Sequence, residues 1–114
     1  MRVLVFEDNL LWSSRLVKSL RALGHDARLV DQAEWGPLES GTEVAILNLG
    51  SSTWDAPALV AGLRAAGVRV IGHAGHKEKD LLELGRRAGC DSIATNSEIT
   101  FKLEAVLSRA TTSP

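Results

Sequence analysis

The chain has 114 residues, 45% hydrophobic and 24% charged, and 13 Lys and Arg against 14 Asp and Glu give a formal net charge of −1. That is the size and composition of one globular domain with its own core, which excludes disordered and collagen-like chains. The balanced charge argues against a general nucleic-acid binder or a polybasic membrane binder. A lone Cys90 excludes an internal disulfide, and no Cys/His set has zinc spacing. The opening apolar run, Val3–Phe6, is too short for a secretory or membrane-spanning segment, so the cytoplasm is the expected location.

Short β-rich runs alternate with helical patterns. Arg2–Phe6 reads as a strand buried on both faces. Leu10–Leu23 follows as a helix, with Leu16, Leu20 and Leu23 at helical spacing, Asp8 or Asn9 as N-cap and Gly24 beyond its end. Ala27–Val30 is a weaker second strand. Residues 31–42, with Gly36, Pro37 and Gly41, have room for one helical turn at most. Val44–Leu49 is a third strand, and Gly50–Asp55 a polar loop. Ala58–Ala66 is a helix closed by Gly67. Val68–Ile71 is a fourth strand, followed by a loop holding Gly72, His73, Gly75 and His76. Lys77–Ala88 is a helix closed by Gly89, Ser92–Ala94 a short fifth strand, and Thr100–Arg109 a last helix whose apolar side is Phe101, Leu103, Val106 and Leu107. Residues 1–110 form one domain on this reading, and 111–114 a frayed tail.

This alternation predicts an α/β, doubly wound, five-stranded parallel sheet with helices on both faces and the second helix short or absent. In such sheets the functional crevice lies at the carboxyl ends of the strands. The residues that follow the strands therefore carry the interest: Glu7, Asp8 and Asn9; Asn48, Leu49 and Gly50; Gly72, His73 and Ala74; Thr95, Asn96 and Ser97. No P-loop, nucleophile elbow or dinucleotide fingerprint is present.

The blocks VLVFEDN (3–9), RALGHDA (21–27), VAILNLGSSTWD (44–55), VIGHA (70–74) and AGCDSIATNS (88–97) together resemble the receiver domain of response regulators, the chemotaxis-regulator-like module of two-component signalling. The resemblance implies a flavodoxin-like sheet of order 2-1-3-4-5. It places Glu7 and Asp8 on the family's acidic pair, and Asn48 where the phospho-accepting Asp stands. His73 falls on the Thr/Ser switch position and Asn96 on the Lys position. An aspartyl phosphate needs a carboxylate nucleophile, and the amide of Asn48 is a poor one. Asn96 lacks the cation that pairs with a phosphoryl group. His73 is larger than the family hydroxyl residue and cannot repeat its movement. The resemblance thus implies an atypical receiver, or pseudo-receiver, with no conventional aspartyl phosphorylation and no catalysis of its own. Glu7, Asp8 and the carbonyl of Gly50 remain as a weak Mg²⁺ site, although Glu7 and Asp8 are equally readable as acids favoured by the dipole of the first helix.

The expected partner is a protein of a signalling pathway. Receivers commonly use the face of their fourth helix, fifth strand and fifth helix, here Lys79, Glu83, Arg87, Ile93, Lys102 and Arg109, for targets or homodimers. Trp12 and Trp54, with Trp35, lie towards the carboxyl ends of the strands and read either as an aromatic contact patch or as caps on the core edge. His73 and His76 lack a specific metal spacing, His73 is expected to titrate near neutrality beside the acids, and Cys90 reads as a buried filler. Two rival functions stay open: a phosphorelay receiver using Asp8 or Glu7 as acceptor, and a small-ligand binder at the strand-end crevice. Neither membrane nor direct nucleic-acid contact is expected.

Overall fold

The computed structural model describes residues 1–112. Five strands, β1 (Arg2–Phe6), β2 (Asp26–Val30), β3 (Thr42–Asn48), β4 (Arg69–Ala74) and β5 (Ser92–Thr95), pair in parallel in the order β2-β1-β3-β4-β5. The five helices are α1 (Leu10–Ala22), α2 (Ala56–Ala65), α3 (Lys79–Ala88), α4 (Asn96–Phe101) and α5 (Leu103–Thr111). This is the doubly wound sheet expected from the alternation of apolar runs and helical patterns. No helix among the described residues is long and apolar enough to cross a membrane.

Side chains alternate across the sheet with a period of two and feed two cores. On one face Val3, Val5, Val44, Ile46, Ile71 and Ala94 meet Leu16 and Leu20 of α1, Ile99 of α4 and Val106 and Leu107 of α5. On the other, Leu4, Phe6, Ala45, Leu47 and Val70 meet Val60 and Leu63 of α2, with Leu81, Leu82 and Leu84 of α3 packed behind. The β2–β3 crossover, residues 31–41, holds no helix. Trp35 and Trp54 cover that part of the second core instead, each set edge-on to Phe6 with centroids 5.1 and 5.6 Å away. Trp54 is 9% exposed and its indole N–H donates to the Gln32 carbonyl at 3.2 Å. The structure therefore removes Trp54 from the expected partner surface and makes it core.

Several element boundaries differ from the expectation, and three of the differences matter here. β4 extends to Ala74, because Gly72 and His73 continue the ladder opposite Leu47 and Asn48 on β3 and Ile93 and Ala94 on β5. Gly72 is required there: a Cβ would lie 2.9 Å from Cys90 Sγ and 3.1 Å from Leu49 Cδ1. The single last helix is two, because Lys102 leaves helical geometry at φ −131°, ψ 34°. That break turns Phe101 away from the Leu103–Val106–Leu107 side, leaving it 82% exposed and not in the core. Finally, Thr111 belongs to α5 and not to a tail, with Thr112 closing the helix; residues 113–114 lie outside the described residues.

Candidate functional site

The strand-end crevice is built by the same two-residue alternation. Val5, Ile46, Ile71 and Ala94 belong to one core, so Glu7, Asn48, His73 and Asn96, each two residues on, come to the carboxyl edge on that same face. Glu7 is 1% exposed. Its Oε1 accepts the Asn9 backbone N–H and the Asn48 Nδ2, both at 3.1 Å, while Oε2 is buried without a partner. Burial raises the Glu7 carboxyl above its ordinary value; the two donors and the neighbouring Asp8 charge are smaller influences.

Asn48 is engaged at both ends of its amide: Nδ2 donates to Glu7, and Oδ1 accepts the Gly50 N–H at 2.9 Å. Asp8 lies outside this buried set. Its Oδ2 accepts the hydroxyls of Ser51 and Thr53, both at 2.6 Å, and these donors hold its carboxyl below the ordinary range. The Asn9 side chain caps α1 through the Trp12 N–H at 3.1 Å, so the residues that end β1 also start the helix.

His73 is 2% exposed and lies in a strand, not in a partly exposed loop. Its Nδ1 meets Asn96 Oδ1 at 2.7 Å, its Nε2 is buried without a partner, and Trp12 stacks on the ring at 5.0 Å and 18°. An amide oxygen only accepts, so the neutral ring carries its proton on Nδ1. Burial lowers the imidazole to about 4, with the Asn96 contact opposing weakly. The expectation of a His73 titrating near neutrality is thereby corrected: the acids at this edge do not bond to the ring, and desolvation governs it.

A divalent cation fits this arrangement poorly. Glu7 Oε2 is buried, Asp8 Oδ2 accepts two hydroxyls, and Asn48 offers only a neutral oxygen, Oδ1, which already accepts the Gly50 N–H. Among the described residues no group of three His, Cys, Asp or Glu side chains is placed to hold a metal. His76 is exposed and apart from His73, so the two do not form a ligand pair.

The expected α3–β5–α5 docking face is charged and largely self-paired. Glu83 meets Arg86 at 3.6 Å and Arg87 at 3.4 Å. Arg109 is tied to Ser92, to the Ile93 carbonyl and to Glu98. Ile93 is half-buried beneath α3, where a Cβ on Gly85 would come within 2.7 Å of its Cδ1. Lys79 is exposed on α3, while Lys102 stands apart at the α4–α5 break. Cys90 is a half-buried filler whose thiol is pushed up to about 11 by burial. Sequence reasoning missed the exposed apolar residues Leu10, Leu11 and Phe101; the first two lie in an apolar run at a helix start, where an amphipathic reading does not assign a face.

No family model matches the sequence, and no curated protein matches it. The fold, by contrast, has many counterparts among solved structures. A two-component response regulator from Clostridium difficile is similar over 98% of this chain and 99% of its own, at 18% identity and a TM-score of 0.76. The receiver domain of a sensor histidine kinase from Pseudomonas aeruginosa, with a magnesium ion in its active-site cleft, matches over 96% and 95% at 19% identity and 0.75. A response regulator from Burkholderia pseudomallei with a phosphorylated aspartic acid matches 97% of this chain at 18% identity and 0.73, and this chain spans 66% of that protein. The fold is that of response-regulator receiver domains.

Proposed function

We propose that this receiver-fold chain is an atypical signalling module that acts by binding a protein partner and does not undergo conventional aspartyl phosphorylation. The observation that supports this reading is the closed state of the Asn48 amide. Its nitrogen serves Glu7 and its oxygen serves a backbone N–H, so the residue works as a crosslink between β1, β3 and the following loop. The two positions that would respond to a phosphoryl group are likewise engaged with each other, His73 with Asn96. A neutral amide offers no nucleophilic oxygen, and moving Asn48 or Asn96 would break hydrogen bonds made to the buried Glu7 carboxyl and His73 ring. Switching then comes from partner binding, which shifts populations only through differential contacts. The module carries out no reaction, and the cytoplasm is its proposed location.

The test is titration of the wild-type protein with Mg²⁺ and beryllofluoride, and separately with acetyl phosphate, read by NMR and intact-mass spectrometry. The expected result is no stoichiometric adduct and no saturable shift of the Gly50 or His73 amides. A stoichiometric adduct would overturn the reading. If that adduct disappeared in Asp8→Ala, the phosphorelay role would replace it.

A further inference from the structure

The crossovers that follow β1, β3 and β4 carry α1, α2 and α3, each held by its own ladder of backbone hydrogen bonds. The β2–β3 crossover, residues 31–41, has no such ladder. Among the described residues, no backbone N–H in this segment donates to a backbone carbonyl, and of its carbonyls only that of Glu39 accepts a backbone N–H, from Thr42 at 3.3 Å. Side chains fasten it instead. The Trp54 indole N–H donates to the Gln32 carbonyl at 3.2 Å, Arg28 Nη2 to the Trp35 carbonyl at 2.9 Å, and Arg2 Nη1 to the Ser40 carbonyl. Glu39 pairs with Arg28 at 3.2 Å and with Arg2 at 3.8 Å. The crossover is therefore a strap tied down along its length by groups that belong to β1, β2 and the β3–α2 loop.

The strap is also thinly packed. Nine of its eleven residues are exposed, and only Trp35 and Leu38 are half-buried. Hollows flank it on both sides, about 170 Å³ against β2 and about 340 Å³ against α2, and Trp35 lines both. Gly36, next to that indole, holds a left-handed φ of +74°. A segment with few buried contacts and exposed hydrogen bonds opens locally at a cost below that of global unfolding.

From eleven residues tied to their neighbours by side-chain donors between two hollows, we infer that the β2–β3 strap is a conformational switch. It opens as one unit between Val30 and Thr42 and lifts Trp35 and Leu38 away from α2, while the sheet and the helices stay in place. Opening uncovers the edge of Phe6, on which Trp35 sits, and releases the Trp54 N–H from Gln32. It also joins the larger hollow, floored by Leu59, Gly62 and Leu63, to the solvent. This gives a module that switches by differential contacts an element with two states. The inference rests on the interaction-module reading only for what the switch serves; the motion itself does not depend on whether Asn48 accepts a phosphoryl group.

The test is ¹⁹F NMR of the full chain with 5-fluorotryptophan at positions 12, 35 and 54, each resonance assigned by its Trp→Phe variant. Relaxation dispersion is expected to show one microsecond-to-millisecond process shared by Trp35 and Trp54 and absent from Trp12, which lies on the other face of the sheet. Gly36→Ala places a Cβ on the left-handed backbone of the closed strap and is expected to raise the open population about tenfold without altering a charge. Arg28→Met removes the donor to Trp35 and the partner of Glu39, with an expected rise of about fivefold. Glu39→Gln is expected to raise it about twofold, because its ion pairs are exposed. Absence of exchange at Trp35 in both the wild type and Gly36→Ala would overturn the proposal. So would exchange of all three tryptophans with a common population, which is global unfolding, or an open population that none of the three variants changes. A phosphoryl adduct with the Trp35 exchange intact would overturn the crevice reading and leave the strap; a silent Trp35 without an adduct would do the reverse.

Discussion

The strand-end crevice and the hollow between α1 and the α4–α5 break, lined by Trp12, Arg15, Ser19, Thr100 and Phe101, are neighbours, and they invert the usual distribution of side chains. In the crevice, Glu7 and His73 are almost completely buried and each keeps one polar atom without a partner. In the hollow, Phe101 is 82% exposed. Burying unsatisfied polar atoms opposes folding, and an aromatic ring left exposed contributes almost no burial to it. The difference teaches where each region spends its physical chemistry: the crevice is closed on itself, and the hollow is open to solvent.

The comparison breaks most visibly under acid. Folding holds His73 at about 4 against an ordinary 6.5, so the unfolded chain binds more protons between those values. Its contribution is complete above pH 6.5 and is lost as pH falls towards 4, at about 1.4 kcal/mol per pH unit, ~3 kcal/mol in all. Glu7 acts in the opposite sense, because its carboxyl is raised above 4.5 and stability recovers as the medium acidifies through that raised value. Urea unfolding from pH 7 to 4 is the measurement. His73→Gln, which retains a donor for Asn96, is expected to remove the His73 component; an unchanged pH profile in that variant would show that the ring is not sealed.

A smaller effect is expected at the crosslink. Asn48→Ala removes one of the two donors to the buried Glu7 Oε1 and the side-chain acceptor of the exposed Gly50 N–H, and a loss of about 1 kcal/mol is expected by chemical denaturation. Asn48→Asp adds a carboxylate beside Glu7, so its loss is expected to be largest at neutral pH and to shrink in acid as the pair gains a proton. Acetyl-phosphate labelling of Asn48→Asp is expected to stay weak, since Asn96 still provides no cation; rapid, stable labelling would break that expectation. The smallest effect sharpens the other side of the comparison. Phe101→Ser is expected to change unfolding stability by less than about 0.5 kcal/mol, because an exposed ring contributes little to the core. A loss of several kcal/mol would mean the ring is structural and the hollow is not open.

Much of this arrangement was legible before the structure. The apolar runs at Val3–Phe6 and Val44–Leu47 could only be strands buried on both faces, and counting two residues past a core position reaches Glu7 and Asn48 without coordinates. The end of β4 was less legible, because Gly72 and His73 interrupt an apolar run and resemble a turn; only the packing of Cys90 and Leu49 over Gly72 makes that backbone a strand. α4 had a local signal that apolar periodicity passes over. Thr95 and Glu98 form a capping box, with Thr95 Oγ1 accepting the Glu98 N–H at 3.2 Å and Glu98 returning to the Thr95 N–H at 3.0 Å. The stacking of Trp12 on His73 joins residues 61 positions apart through the fold, and no spacing rule announces it.

That stacked indole has a consequence of its own. Trp12 is a lid on the imidazole of His73 and also lines the hollow between α1 and the α4–α5 break. One ring shared by two sites couples them in free energy, and such coupling is reciprocal. Any guest that reorients the indole changes the cost of placing a proton on His73, and a proton on His73 must then change the affinity of that guest by the same factor.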